Sequence, residues 1–175
     1  MLHYLRKANL ADLPTIMSVI EAGRQTLKAK QIPQWQNGDG PHAALLENDI
    51  QAERCYVFIV DNEIAGVGVL VSDQDPAYEK LVNGSWQINS LPEYTAIHRV
   101  ALHAHYQGQG LAEPLMHYLI TAARLQGALD IRIDTHSRNL TMQHLIKKVG
   151  FTYQGEVILP VATNGERYAY QMILS

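Results

Sequence analysis

The chain has 175 residues, 47% of them hydrophobic and 18% charged, which is ordinary globular composition at about the length of one domain with its own core. Fourteen Lys and Arg stand against 17 Asp and Glu, a formal net charge of -3 with no basic block, so the footprint of a nucleic-acid binder is missing. No apolar run approaches the roughly 18 residues of a membrane span, and the lone Cys55 excludes an internal disulfide and a cysteine metal cluster.

The opening MLHYLRKANLADLP lacks the apolar stretch and cleavage site of a secretory signal. The expectation is a cytoplasmic protein, one domain over residues 1–175, with neither membrane nor nucleic acid as a partner.

In chain order, HYLRKA (3–8) reads as a first strand. Residues 9–29 read as a helix with Asp12 as N-cap, Pro14 in the tolerant first turn, and Leu13, Ile16, Ile20 and Leu27 near one face. QIPQWQNGDGP (31–41) breaks it, and a second helix follows over about 41–53. CYVFIVD (55–61) and IAGVGVLV (64–71) are β-rich runs joined as a hairpin by a turn at Asn62 and Glu63. Residues 72–93 are loop-like, with SWQI (85–88) as a candidate short strand, and YTAIHRVALH (94–103) is a strand.

A helix then runs to about Gly127, its natural C-cap, with Leu111, Leu115, Leu119 and Ala122 on one stripe. DIRIDTH (130–136) is a strand, and SRNLTMQHLIKKVG (137–150) a helix with Leu145 and Val149 on its apolar face. FTYQGEVIL (151–159) and RYAYQMILS (167–175) close the chain as antiparallel strands around the turn ATNGE. Strand-like and helix-like patterns alternate, which predicts a mixed α/β domain.

HYQGQGLAEPLM (105–116) places two glycines at the start of a helix, where unpaired N–H groups and positive partial charge hold anions. It is not a P-loop, since no Lys follows Gly110 at the required place. A dinucleotide fingerprint is opposed by Glu113 at the third glycine position and by the five residues between Leu102 and Gly108. An isolated GxG is also compatible with a turn that binds nothing.

This one is not isolated. VALHAHYQGQGLAEPLM resembles the coenzyme-A loop of the GNAT superfamily of N-acetyltransferases, Arg/Gln-x-x-Gly-x-Gly/Ala, with Gln107, Gly110 and Ala112 at the specified positions and Gly108 as the extra glycine common there. NLTMQHLIKKVGF is similar to the family's second coenzyme-A segment through Asn139, Leu145, Lys148, Gly150 and Phe151. The order of elements agrees over nearly the whole chain. The resemblance implies a mixed, mostly antiparallel sheet of six or seven strands with helices on both faces.

It also implies acetyl-CoA as co-substrate, with no metal. Backbone N–H groups of Gln107, Gly108, Gln109, Gly110, Leu111 and Ala112 would converge on the pyrophosphate, and the strand stretch Val100, Ala101, Leu102 would take the pantetheine arm like an added strand. Asn139 would reach the pantetheine or phosphate, or simply cap its helix.

Acetyl transfer to an amine needs a neutral nucleophile, because an alkyl amine near pKa ~10.4 is almost wholly protonated at neutral pH. His98 is the candidate base, two residues before Val100 and so expected on its face, where some members of the family carry a histidine. The alternative is a buried structural histidine. Arg99 is expected to point the other way, in a structural role.

The family's tyrosine, which commonly protonates the thiolate, falls on Ile146, so either another group serves or no acid is needed, with His144 and Tyr153 near in sequence. His103-x-His105 lacks the carboxylate or Cys that would complete a metal site. Trp35 and Trp86 fall in variable-looking segments where the family builds its acceptor pocket, or are core aromatics. The expected partner is a small-molecule or peptide amine, a homodimer remaining open. The competing function is a non-catalytic GNAT-like domain that binds coenzyme A or an acyl-CoA as a sensor.

Overall fold

The structure, a computed structural model, describes residues 1–87, 93–161 and 163–175. Seven strands form one sheet: β1 His3–Lys7, β2 Cys55–Val60, β3 Glu63–Val71, β4 Thr95–Leu102, β5 Asp130–Thr135, β6 Thr152–Ile158 and β7 Glu166–Ile173. Their order is β1-β2-β3-β4-β5-β7-β6, and every neighbouring pair is antiparallel except β4 and β5. The helices are α1 Leu13–Ala29, α2 Ala43–Gln51, α3 Ala112–Leu125 and α4 Leu140–Lys148. This is the expected fold, with the larger of the two strand counts.

Alternating side chains give the sheet two apolar faces. One packs Phe58, Ile97, Ile131 and Ile133 against Leu115, Met116 and Leu119 of α3 and Ile146 of α4. The other packs Val57, Ile59, Val67 and Val69 against Ile16, Val19 and Ile20 of α1 and Leu46 and Ile50 of α2. The glycine in GVGV of β3 has a packing reason, because a Cβ on Gly68 would lie 2.4 Å from Leu119. A third cluster, Tyr78, Leu81, Tyr94, Ala96, Val157 and Ala169, seats the 72–87 segment on the sheet.

Local differences from expectation have physical causes. Asp12 makes no capping bond to α1; its carboxylate accepts from the backbone N–H of Asn9 at 2.8 Å and from Arg6 at 2.7 and 2.9 Å, and Asn9 heads the capping box instead. The β2–β3 turn lies one residue earlier than expected, at Asp61 and Asn62, both left-handed (φ 46° and 71°) as a type I′ turn requires.

Residues 85–87 of SWQI form no strand, and Ile88 lies outside the described residues, as does Ala162 of the last turn. Trp86 instead lies over the Arg132 guanidinium at 4.0 Å, with Tyr94 at 4.1 Å from the same group, and donates from Nε1 to the carbonyl of Tyr78 at 2.7 Å.

Candidate active site

The site begins with a gap in the sheet. β4 and β5 pair through only two rungs, Thr95 with Ile131 and Ala96 with Arg132, and then part, so the edge of β4 facing β5 has no ladder partner beyond Ala96. A bulge accompanies the separation. Val69 pairs with His98 but Val67 with Ala101, leaving one extra residue on β4, and Arg99 takes the left-handed region at φ 56°. Such a backbone is costly for a non-glycine residue and collects at functional sites.

The bulge also overturns the assumed alternation of side chains. Val100 and Leu102 pack with the cluster beneath α3 and α4, whereas His98 continues the opposite face of Tyr94 and Ala96, its ring 5.9 Å from that of Tyr78. His98 and Val100 therefore do not share a face; the extra residue interrupts the two-residue period. Arg99 turns to Asp49 of α2 at 3.4 Å, and Asp49 also accepts from Arg54 Nε at 2.8 Å.

The parted strands open a cavity of about 910 Å³ whose lining includes Val100, Ala101, Leu102, Gln107, Gly108, Ala112 and Asn139. Gln107 is fastened on both sides, donating from Nε2 to the Leu102 carbonyl at 3.0 Å and accepting from Thr26 Oγ1 at 3.0 Å. Gly108 and Gly110 both sit at φ 74°, and a Cβ on either would meet nothing within 4 Å. The glycines are thus required by backbone conformation, and they leave an open cradle before α3.

The remaining loop residues diverge. Leu111 is buried in the core, Gln109 donates from Nε2 to the His105 carbonyl at 2.6 Å, and Gly110 faces a shallow depression with His3 and Tyr118. Asn139 caps α4 by accepting from the Met142 N–H at 3.2 Å while also lining the cavity. Glu113 pairs with Lys148 at 2.6 Å, tying the start of α3 to the end of α4.

The same cavity is lined by His98, Asp134, Asp75, Arg167 and Trp35, the last packed with the cluster that holds Ala101. Trp35 is held in place: Arg24 of α1 donates to its carbonyl at 3.2 Å and to that of Pro41 at 2.8 Å, and its side chain packs close to Gly23 and Gly40. Trp86 is not brought here. Burial pushes the pKa of His98 down from its ordinary value, against the opposing pull of Asp134. Asp134 accepts a hydrogen bond from the Tyr78 hydroxyl at 2.5 Å. Burial and the Asp134 carboxylate together raise the Tyr78 pKa well above its usual value, so this phenol stays protonated.

Ile146, at the position of the family's acid, is fully buried in the core and does not reach the cavity. His144 and Tyr153 are exposed elsewhere, and among the described residues no tyrosine or cysteine lines the cavity. His103 and His105 are taken up locally, Nδ1 of the former accepting from the N–H of the latter at 3.2 Å.

Asp134 and Arg167 are site residues that pattern reading passed over. The signal was present in DIRID, whose polar residues alternate with isoleucines on a strand that the topology buries on both faces.

The sequence profile of the acetyltransferase (GNAT) family matches residues 24–151. A GNAT-family acetyltransferase structure from Streptococcus agalactiae is 31% identical, covering 99% of this chain and 96% of its own, with a TM-score of 0.89. A second, from Listeria monocytogenes, is 20% identical, with coverage of 98% and 95% and a TM-score of 0.75. The NatC complex bound to Gag peptide and CoA shares the fold at 13% identity, with full coverage of both chains and a TM-score of 0.65. None of the curated proteins matches this sequence significantly. Profile, identity and fold agree: the chain belongs to the GNAT family of acetyltransferases.

Proposed function

We propose that residues 1–175 act as one N-acetyltransferase domain that moves an acetyl group from acetyl-CoA to a primary amine by direct attack on the thioester. The observation that carries this is the edge of β4 beyond Ala96, which has no ladder partner and lines one cavity together with His98 and with Gln107, Gly108 and Ala112 of the loop that follows the strand. An extended pantetheine arm suits an edge that lacks a strand partner, and a pyrophosphate suits the positive-φ glycines that open α3. That a NatC structure holds CoA on the same fold supports the choice of donor.

In this reading Val100, Ala101 and Leu102 bind the arm through their backbone, Gln107 through Ala112 bind the phosphates, and Asn139 borders the arm from the far side of the gap. The bound donor supplies an activated acetyl group and a thiolate leaving group. Trp35 forms a wall of the acceptor end; Trp86 is structural.

His98 acts as base. Its lowered pKa keeps the imidazole neutral at pH 7, ready to take a proton without first losing one. The acceptor nitrogen bonds to the acetyl carbon as the carbon–sulfur bond breaks, the bonding pair leaves with sulfur, and the amine proton passes to the unprotonated ring nitrogen of His98. With no tyrosine or cysteine among the described lining residues, the thiolate leaves unprotonated or takes its proton from water, which a thiol pKa near ~8.5 permits.

The test is release of free thiol from acetyl-CoA over a panel of amines, alongside calorimetry of coenzyme A. Binding with amine-dependent thiol release is the expected result. Binding without release from any amine would instead mark a coenzyme-A sensor.

A further inference from the structure

The acceptor end of the cavity holds two opposite charges on one face of the sheet. Ala96 pairs with Arg132 and Asp134 with Ala169, while Ala96 and Ala169 belong to one cluster. His98, Asp134 and Arg167 therefore stand on neighbouring strands β4, β5 and β7 and share that face. All three line the cavity.

Arg167 is the unusual member. It is 5% exposed, and its described hydrogen bonds run from Nη1 to the backbone carbonyls of Asn164 and Glu166, the latter at 2.9 Å. Among the described residues no carboxylate lies within 4 Å of its guanidinium, although burying such a charge without a partner is expensive.

The other cavity-lining cations are differently placed. Arg99 is drawn to Asp49, and Lys30 donates to Thr141 Oγ1 at 3.1 Å, on the α4 side. Of the carboxylates, Asp75 caps the turn after it through the Ala77 N–H at 2.9 Å, and Asp134 takes the Tyr78 hydroxyl while its second oxygen has no described hydrogen bond.

We propose that the acceptor is an amine carrying a carboxylate close to its nitrogen, an α-amino acid or its like, with the carboxylate on Arg167 and the nitrogen between Asp134 and His98. This rests on the acetyl-transfer reading above and names its substrate class. A planar guanidinium presents paired N–H donors that match a carboxylate, which makes Arg167 a specificity-determining residue. Asp134 attracts the ammonium form, and His98 accepts the proton that must leave before attack. A simple alkylamine would satisfy Asp134 but bring the Arg167 guanidinium no carboxylate within pairing distance. A larger polycation such as an aminoglycoside or polyamine would meet Arg167 as a like charge, which costs affinity.

The experiment compares matched acceptors on the intact protein with acetyl-CoA: leucine against 3-methylbutylamine, phenylalanine against phenethylamine, and each amino acid against its amide. Thiol release should give kcat/KM at least ten-fold higher for the carboxylate-bearing member of each pair. In Arg167→Gln that preference should collapse, mainly through KM, while Arg167→Lys keeps part of it and guards against a folding defect from lost turn contacts.

Equal or reversed preference in the wild-type protein overturns the proposal. Calorimetry of leucine and 3-methylbutylamine on the coenzyme-A-loaded protein separates the two layers of argument. Selective leucine binding without turnover would refute acetyl transfer but keep the carboxylate site, whereas turnover of amines with no selectivity would do the reverse. Neither binding nor turnover would overturn both.

Discussion

The rings of Tyr78 and His98 lie 5.9 Å apart at 52°, yet the Tyr78 hydroxyl is committed to Asp134, so the tyrosine buries the imidazole without hydrogen-bonding it. Burial, helped by the Arg99 charge, favours the neutral ring over the pull of Asp134 and sets the direction of its pKa. The acidic limb of kcat should therefore have its midpoint below ~6.5, with activity rising as pH climbs through the histidine's pKa and no later fall from a tyrosine near ~10. His98→Ala should lower kcat roughly ten- to a thousand-fold and leave coenzyme-A affinity nearly unchanged. Wild-type kcat/KM in the variant from pH 6 to 9 would make His98 structural.

The loop prediction rests on Gly108, at φ 74° and open to the cavity. Gly108→Glu forces a side chain into the left-handed region and sets negative charge where phosphates are expected. Calorimetry should show coenzyme-A binding lost, with NAD and ATP binding far more weakly than coenzyme A to the native protein. Equal affinity for NAD would refute the cradle.

Ile146→Tyr addresses the missing acid. Because Ile146 is fully buried among α3 and sheet side chains, a phenol there has no path to the cavity and must overpack the core. The expected loss is about 1–3 kcal/mol in chemical denaturation, with no gain in rate. A stable variant with raised kcat would show that the side chain reaches the leaving sulfur after all.

Acid stability should depend on Arg6 and Asp12. The hydrogen-bonded Arg6 guanidinium, helped by the Asn9 N–H, outweighs burial and holds the Asp12 carboxyl below its ordinary pKa. A depressed carboxylate stabilises the fold fully above its unfolded value of ~3.9, and that contribution disappears as pH falls through the folded value. Arg6→Met should cost about 1 kcal/mol at pH 7, since the arginine is partly exposed, and should soften the decline in urea midpoint below pH 4.

Much of this site was legible in sequence because it is built from backbone demands. Gly108, Gly110, Gly127 and Gly150 each stand at positive φ where a turn or helix end needs one, and such needs leave glycines behind. Asn139 was readable as a cap for the same reason. What pattern reading could not supply came from pairing. The bulge at Arg99 adds one residue to β4 without a local marker, since Arg has no preference for φ 56°, and so the facing of His98 and Val100 was misjudged. Asp134 and Arg167 come to one face of neighbouring strands only because β7 inserts between β5 and β6, a non-local choice that no short window contains.

Two rungs join β4 to β5, whereas the antiparallel ladders on either side of them are several residues long. The sheet is in effect two fabrics tacked together at one corner, and whatever lies along the unpaired edge becomes part of the stitching. A ligand that binds only the assembled form adds about 2.7 kcal/mol at a hundred-fold excess over its Kd. Melting temperature should then track the supply of acetyl donor, and a fall in that supply would shorten the protein's lifetime against proteases before it slowed the reaction by mass action.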